Sequence, residues 1–178
     1  PGRPRITPST APRGNTVDGV LRRSARRTPR ATALRYAGRV WSYAELDEAV
    51  SAAAHVLAAR GLAPGDRVAA YGHNSDAYLI GFLACSRAGL IHVPVNQNLT
   101  GDGLGHILTS SGSGLVLADP ALAGRLPDGT DVLPLRDTDD SLLALLADAP
   151  RTRAPSRPPT PRPSSSTPPA PPPCPRAP

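Results

Sequence analysis

Two glycine-rich stretches, GDGLGH at 101–106 and SSGSG at 110–114, come nearest in this sequence to the spacing of a phosphate cradle. Such a cradle needs backbone N–H groups turned toward one point. It is built either from glycines spaced G-x-G-x-x-G or from a longer loop closed by a lysine. Neither stretch has the dinucleotide spacing, and the 178 residues contain no lysine. The first therefore reads as the start of a helix and the second as a turn before a strand. His73, His92 and His106 are scattered, without paired ligand spacing and without a cysteine near them, which argues against a metal site. YGHNSD at 71–76 places polar groups just after a strand, where open α/β sheets bind ligands, but a turn capped by Asn74 or Ser75 explains it better. No Ser/His/Asp or Cys/His set can be assembled, so no catalytic, cofactor-binding or metal-binding residue is assigned.

The elements that would position such groups follow from apolar spacing. In VDGVLRRSARRTPRATAL, Val17, Val20, Leu21 and Ala25 share one side of a short helix that Pro29 ends. Arg22, Arg23, Arg26 and Arg27 occupy the opposite side, read as a solvated face rather than a phosphate patch because no aromatic residue is interleaved with them. TALRYAGRVWSY predicts a hairpin, with Leu34 and Tyr36 alternating, Ala37-Gly38 turning, and Val40 to Tyr43 returning. Ser42 with Glu45 three residues later makes a capping box. The helix it opens carries Leu46, Ala49, Val50, Ala53, Val56 and Leu57 as its apolar stripe, with His55 at the surface or edge. Gly61 stops that helix before the strand in APGDRVAAYG.

The pattern then repeats: a helix from about Ser75 to Arg87, Gly89, the strand LIHVPV, a helix near 103–110, and the strand LVLAD. Strand and helix alternating at this spacing predict an α/β fold, a partial parallel sheet with helical crossovers. Val68 to Ala70, Ile91 to Val95 and Leu115 to Leu117 are expected as adjacent buried strands. Beyond Asp119 the signal weakens, although SLLALLADA suggests one more helical piece.

Composition divides the chain. Residues 1–150 hold 15 arginines against 14 acids, whereas 151–178 hold 5 arginines, no acid and 12 prolines. The net charge of +6 thus comes almost entirely from the tail, and neither half supports a nucleic-acid partner. The domain reading is a flexible N-terminus over 1–15, an α/β part over 16–149, and a Pro/Arg-rich disordered tail over 150–178. Cys85 lies in an apolar run and Cys174 in the tail, which is no disulfide framework, so a reducing, cytoplasmic location is the default. The longest apolar stretch is broken by Arg87 and contains Gly and Pro, so no transmembrane segment is expected.

The run from Trp41 to Asp119 resembles the N-terminal subdomain of the AMP-forming acyl-CoA synthetases, within the adenylate-forming superfamily. The marks are SYAELDE, GLAPGDRVA, FLACSRAGLIHVPVN and the LT before the next helix, with GVLRRSARRTPRATAL upstream fitting the family's opening helix and first strand. HVPVNQNLTGD resembles an acyl-CoA synthetase more than a peptide-synthetase adenylation domain. The resemblance implies a two-step ligase. A carboxylic or fatty acid attacks ATP, with Mg²⁺, to give an acyl-adenylate, and coenzyme A then takes the acyl group. It also implies a triphosphate loop ending Pro-Lys-Gly, a Tyr/Gly/Thr/Glu motif, a ribose-binding Asp and a C-terminal catalytic Lys. None of these stands in the 178 residues, so the isolated chain is expected to be inactive and to bind none of ATP, Mg²⁺ or coenzyme A. A stand-alone, non-catalytic α/β binding module is the alternative.

The same resemblance gives the tail a reading. Shifted by one base, Ser164 to Ser166 can encode Val-Val-Gln, Thr167 to Pro172 can encode Tyr-Thr-Ser-Gly-Thr-Thr, and Pro175 to Ala177 can encode Pro-Lys-Gly. Only the glycine expected between them is missing. The tail is therefore read as a frameshift product arising near Ala149 to Arg153.

Overall fold

The computed structural model describes residues 16–148. The expectations for residues 1–15 and for the tail over 150–178, including Cys174, lie outside the described residues. Helix α1 (Val17–Arg27) begins at Thr16, whose hydroxyl accepts from Gly19 N–H, and leads into the hairpin β1 (Thr32–Tyr36) and β2 (Arg39–Ser42). The hairpin turns at Ala37 and Gly38, with φ of 45° and 80°, the sign that two-residue hairpins require. Helix α2 (Tyr43–Ala59) opens with the expected capping box. Glu45 Oε2 accepts from Ser42 N–H at 2.8 Å while Ser42 Oγ accepts from Glu45 N–H.

The chain then alternates: β3 (Arg67–Tyr71), α3 (Asp76–Ala88), β4 (Ile91–Val95), α4 (Gly101–Ser111), β5 (Leu115–Ala118), α5 (Pro120–Ala123), β6 (Val132–Pro134) and α6 (Leu142–Asp148). Four strands form one parallel sheet in the order β4-β3-β5-β6, with Val68 opposite both His92 and Leu115. The three expected strands are adjacent and parallel, but only β3 and β5 are buried; Ile91–Val95, expected to be buried as well, is largely half-buried or exposed because β4 is an outer strand with no neighbour on one flank among the described residues. Strand β6 and helix α5 lie where apolar periodicity had faded, because a three-residue strand and a single helical turn are too short to show a period.

Strand alternation sorts the core into two layers. Val68, Ala70, Leu115, Leu117 and Leu133 meet α2, α3 and α6 on one face, against Val50, Leu57, Ile80 and Leu142. Ala69, Tyr71, Val116 and Ala118 meet α4 and α5 on the other, against Leu104 and Leu122. Helix α3 sits very close to the sheet at Gly81, where a Cβ would come within 2.7 Å of Leu117 Cδ1. A side chain there would have to displace the end of the Leu117 side chain or shift the helix.

Strand β4 is the outer strand on its side, with Ile91 still 37% exposed. Ile91 N–H donates to Asp66 O, so residues 91, 93 and 95 face β3 and the backbone of residues 92 and 94 faces away. Pro94, which has no N–H to donate, stands at one of these outward positions.

Helix α1 corrects one expectation. Val17 and Val20 do not belong to its packed face; they are 50% and 52% exposed, whereas Asp18 is buried. Asp18 faces inward because a cation waits there. Arg87, near the end of α3, donates through Nε to Asp18 Oδ1 at 2.7 Å and through Nη1 to Asp47 O at 2.7 Å and Ser51 Oγ at 2.5 Å. Its Nη2 pairs with the Asp47 carboxylate, and Arg22 Nε lies 2.9 Å from the second Asp18 oxygen.

Truncating a buried member of such a network leaves its partners desolvated and unpaired, which costs more than the intact pair contributes. We expect Arg87→Leu to lower the unfolding free energy by about 3 kcal/mol in urea titrations of the full chain. Asp47→Asn, at a partly exposed carboxylate, should cost about 1 kcal/mol or less. Equal, small losses for the two variants would contradict this account.

Candidate functional site

Because the four strands run parallel, their carboxyl ends share one edge, and open α/β sheets bind ligands there. On this edge lie Gly72 to Ser75 after β3, Asn96 to Asn98 after β4, Asp119 after β5, and Arg136 with Asp137 shortly after β6. The side chains that meet are His73, Asp119 and Arg136. His73 Nδ1 and Arg136 Nη2 each lie 3.1 Å from Asp119 Oδ2. Asp119 also caps α5, its Oδ1 accepting from Ala121 N–H at 3.2 Å. Burial alone would raise this carboxyl. The hydrogen bonds from His73, Arg136 and Ala121 outweigh burial and hold it below the usual carboxylate range. Arg136 Nε is buried without a hydrogen-bond partner, 3.6 Å from Asp137 Oδ2.

Beside this cluster the hairpin is clamped to the start of α3. Arg39 Nε and Nη2 donate to the two oxygens of Asp76 at 2.7 and 2.9 Å, and Trp41 Nε1 adds a third bond at 3.1 Å. Burial pushes the Asp76 carboxyl up, but these donors and Ala77 N–H bring it below its ordinary value. On the far side Tyr71 O–H donates to Leu99 O at 2.6 Å and Arg125 Nη1 to Gln97 O at 3.3 Å, seating the loop over 96–99 on the strand ends.

Chemically, this edge positions loops rather than moving protons. A general base works best with a pKa near the operating pH. Asp76 and Asp119 are shifted the other way and are already engaged by cations. Cys85 is buried, and its thiol is pushed up to about 12, so it is no nucleophile. His92 lies between the rings of Tyr78 and Phe82, at centroid distances of 5.8 and 5.1 Å, and burial pushes its pKa down. Its Nε2 is buried without a partner. His55 and His106 are exposed on α2 and α4.

The structure thus brings only His73, of the sequence-noted histidines, into a polar cluster. Among the described residues no group of three or more His, Cys, Asp or Glu could hold a metal ion. GDGLGH is the first turn and a half of α4, and SSGSG carries its left-handed end at Gly112, φ 65°. YGHNSD is the β3–α3 turn, capped by Ser75 Oγ accepting from Tyr78 N–H. The His73–Asp119 contact was missed from sequence. Its signal was register: with β3 beside β5, Tyr71 faces Ala118, and the residues just beyond each strand end must meet.

Comparison with known proteins places this arrangement. The family described as "AMP-binding enzyme" matches residues 21–177. The chain is 44% identical over 98 residues to a feruloyl-CoA synthase of Amycolatopsis sp, covering 55% of this chain and 20% of that protein. It is 38% identical over 138 residues to a phosphinothricin tripeptide synthetase of Streptomyces viridochromogenes, covering 78% of this chain and 13% of that one. Its fold superposes on the N-terminal subdomain of Klebsiella oxytoca NpsA with a TM-score of 0.66 at 29% identity, covering 80% of this chain and 35% of that one. The chain therefore spans a fifth or less of the length of these two curated relatives.

The lowered carboxyls fix the sign of an acid response. A carboxylate with a folded-state pKa below its unfolded value stabilises the fold above the unfolded pKa, and that stability is lost as pH falls through the folded pKa. We expect the chain to lose stability progressively below about pH 4. In the double variant Asp76→Asn, Asp119→Asn the chain should start less stable at neutral pH and lose less on acidification. Parallel pH profiles for the two proteins would refute that assignment.

Proposed function

Because this chain belongs to the AMP-binding enzyme family, matched over residues 21–177, we propose that its 178 residues are the N-terminal part of an ATP-dependent acyl-CoA synthetase. The whole protein would activate a carboxylic or fatty acid as its acyl-adenylate, using ATP and Mg²⁺, and then transfer the acyl group to coenzyme A. The family match carries this reading. The 44% identity over 98 residues to a feruloyl-CoA synthase supports acid–CoA ligation. A cytoplasmic location accords with that chemistry. None of the described helices is long and apolar enough to cross a membrane.

The described residues do not fit ATP or its metal. The glycine stretches are a helix start and a helix end, no carboxylate cluster suits a divalent ion, and the 178 residues supply no lysine for a departing pyrophosphate. What this part contributes is architecture. It forms a sheet at whose carboxyl edge Asp76 ties down the hairpin and Asp119 the loops after β3 and β6, and against which the catalytic segments of a longer chain could be set. The tail accords with the same placement, since a one-base shift can encode Tyr-Thr-Ser-Gly-Thr-Thr and Pro-Lys-Gly inside the matched span, although not the glycine between them. The alternative, a stand-alone α/β module without catalysis, finds no binding residues on this edge to favour it.

Two measurements test the reading. This chain alone should show no acid-dependent exchange of labelled pyrophosphate into ATP above a no-protein control. Sequencing the gene across codons 145 to 178 should show that a one-base correction near codon 150 opens a downstream frame running through Pro-Lys-Gly. The protein from the corrected gene should ligate an acid to coenzyme A. Coding that ends in every frame at codon 178, together with an inactive corrected protein, would leave the stand-alone module in its place.

A further inference from the structure

Among the described residues the backbone of β4 is paired on one flank alone, with β3, so side chains must hold the strand elsewhere. His92 reaches α3. Its ring meets those of Tyr78 and Phe82 edge to face, at interplanar angles of 82° and 78°. Nε2 is sealed in this slot without a hydrogen-bond partner. The groups facing the ring are uncharged. Helix α3 presents Phe82 and Tyr78, whose phenol burial keeps protonated beyond its ordinary range. Strand β3 presents Val68, the register partner of His92, while Arg67 falls on the opposite face by alternation. The charged residues of α3 are turned elsewhere, Asp76 to Arg39 and Arg87 to Asp18 and Asp47. An imidazolium in this slot would be desolvated with no carboxylate to answer it.

We propose that His92 is an acid-released latch on the outer strand. Neutral, its ring pins β4 to α3; taking a proton from solvent, it must leave the slot, and β4 opens from β3 while β3 and β5 stay paired. Two anchors bound the opening. Leu90 N–H donates to Cys85 O at 2.8 Å before the strand, and Tyr71 O–H holds Leu99 O at 2.6 Å after it. The segment released between them is Ile91–Val95. Burial pushes the pKa of His92 down, which fixes the sign of the response. A base with a folded-state pKa below its unfolded value, about 6.5, holds the closed state fully above that value. The hold is lost as pH falls from there toward the folded value. Asp76 and Asp119, both lowered, titrate further down, so the two acid responses are separate. The inference does not rest on the reading of the chain as part of a ligase.

The test is amide hydrogen exchange on the full ¹⁵N-labelled chain at about pH 7.5 and about pH 5, with and without low urea. In acid the amides of Ile91, Val93 and Val95 should lose about tenfold or more of their protection, through an opening that urea does not promote. Amides bonded between β3 and β5 should keep the urea dependence of global unfolding at both pH values. His92→Phe fills the slot without a proton site, so the acid loss at β4 should vanish. His106→Gln, at an exposed position, should leave that loss as it is. In the unmutated chain the His92 ring, followed by its own carbon-bound proton resonances, should titrate below the ordinary histidine range. A ring titrating in the ordinary range, protection at β4 indifferent to acid, or the same loss in His92→Phe would overturn the proposal. So would a loss at β4 with the urea dependence of β3 and β5, which would make it unfolding of the whole domain.

Discussion

The side chain of Arg87 is 3% exposed, and its guanidinium stands where α1, α2 and α3 converge. Removing an arginine from water costs several kcal/mol, so its position needs a full set of partners. It has them: two carboxylates from two helices, a backbone carbonyl and a hydroxyl. Helix α3 is the crossover between β3 and β4, so whatever fixes its end also fixes the helical layer over the sheet. Asp18 is drawn inward by this cation, and the turn of α1 that results leaves Val17 and Val20 facing out. One ion cluster thus decides both what is buried and what is left open on this side of the molecule.

A second pair of charges does for the loops what Arg87 does for the helices. Asp76 binds the hairpin to the start of α3, and Asp119 binds the loops after β3 and β6 to the end of β5. Both carboxyls stay ionised because their donors outweigh the cost of burial. The price is chemical inertness, since a carboxylate already held by arginine is a poor proton acceptor. This is why a sheet edge rich in titratable groups positions loops and offers no free general base among Asp76 and Asp119.

Much of the fold was legible in the chain. Capping at Ser42, the turn at Ala37-Gly38, and the alternation of strand and helix from Arg67 to Ala118 all depend on neighbours in sequence, and all appear where expected. Contacts made across the fold were not legible. Asp18 sat among arginines on what looked like a solvated helix, and nothing local revealed that Arg87, 69 residues away, would bury it. His73 and Asp119 are 46 residues apart and meet only because β5 lies beside β3, a neighbour relation that periodicity does not encode.

Pro94 sets how this sheet can associate. Along the outward side of β4 the backbone offers a single N–H, that of His92, because the only other outward residue is a proline. A strand approaching this edge would find acceptors without a matching run of donors, so the ladder could not propagate. Parallel sheets with an apolar outer strand are templates for self-association, and here Ile91 is partly exposed at the start of one. The proline makes that edge a terminus, so molecules with this surface in water meet through side chains and not by extending one another's sheets.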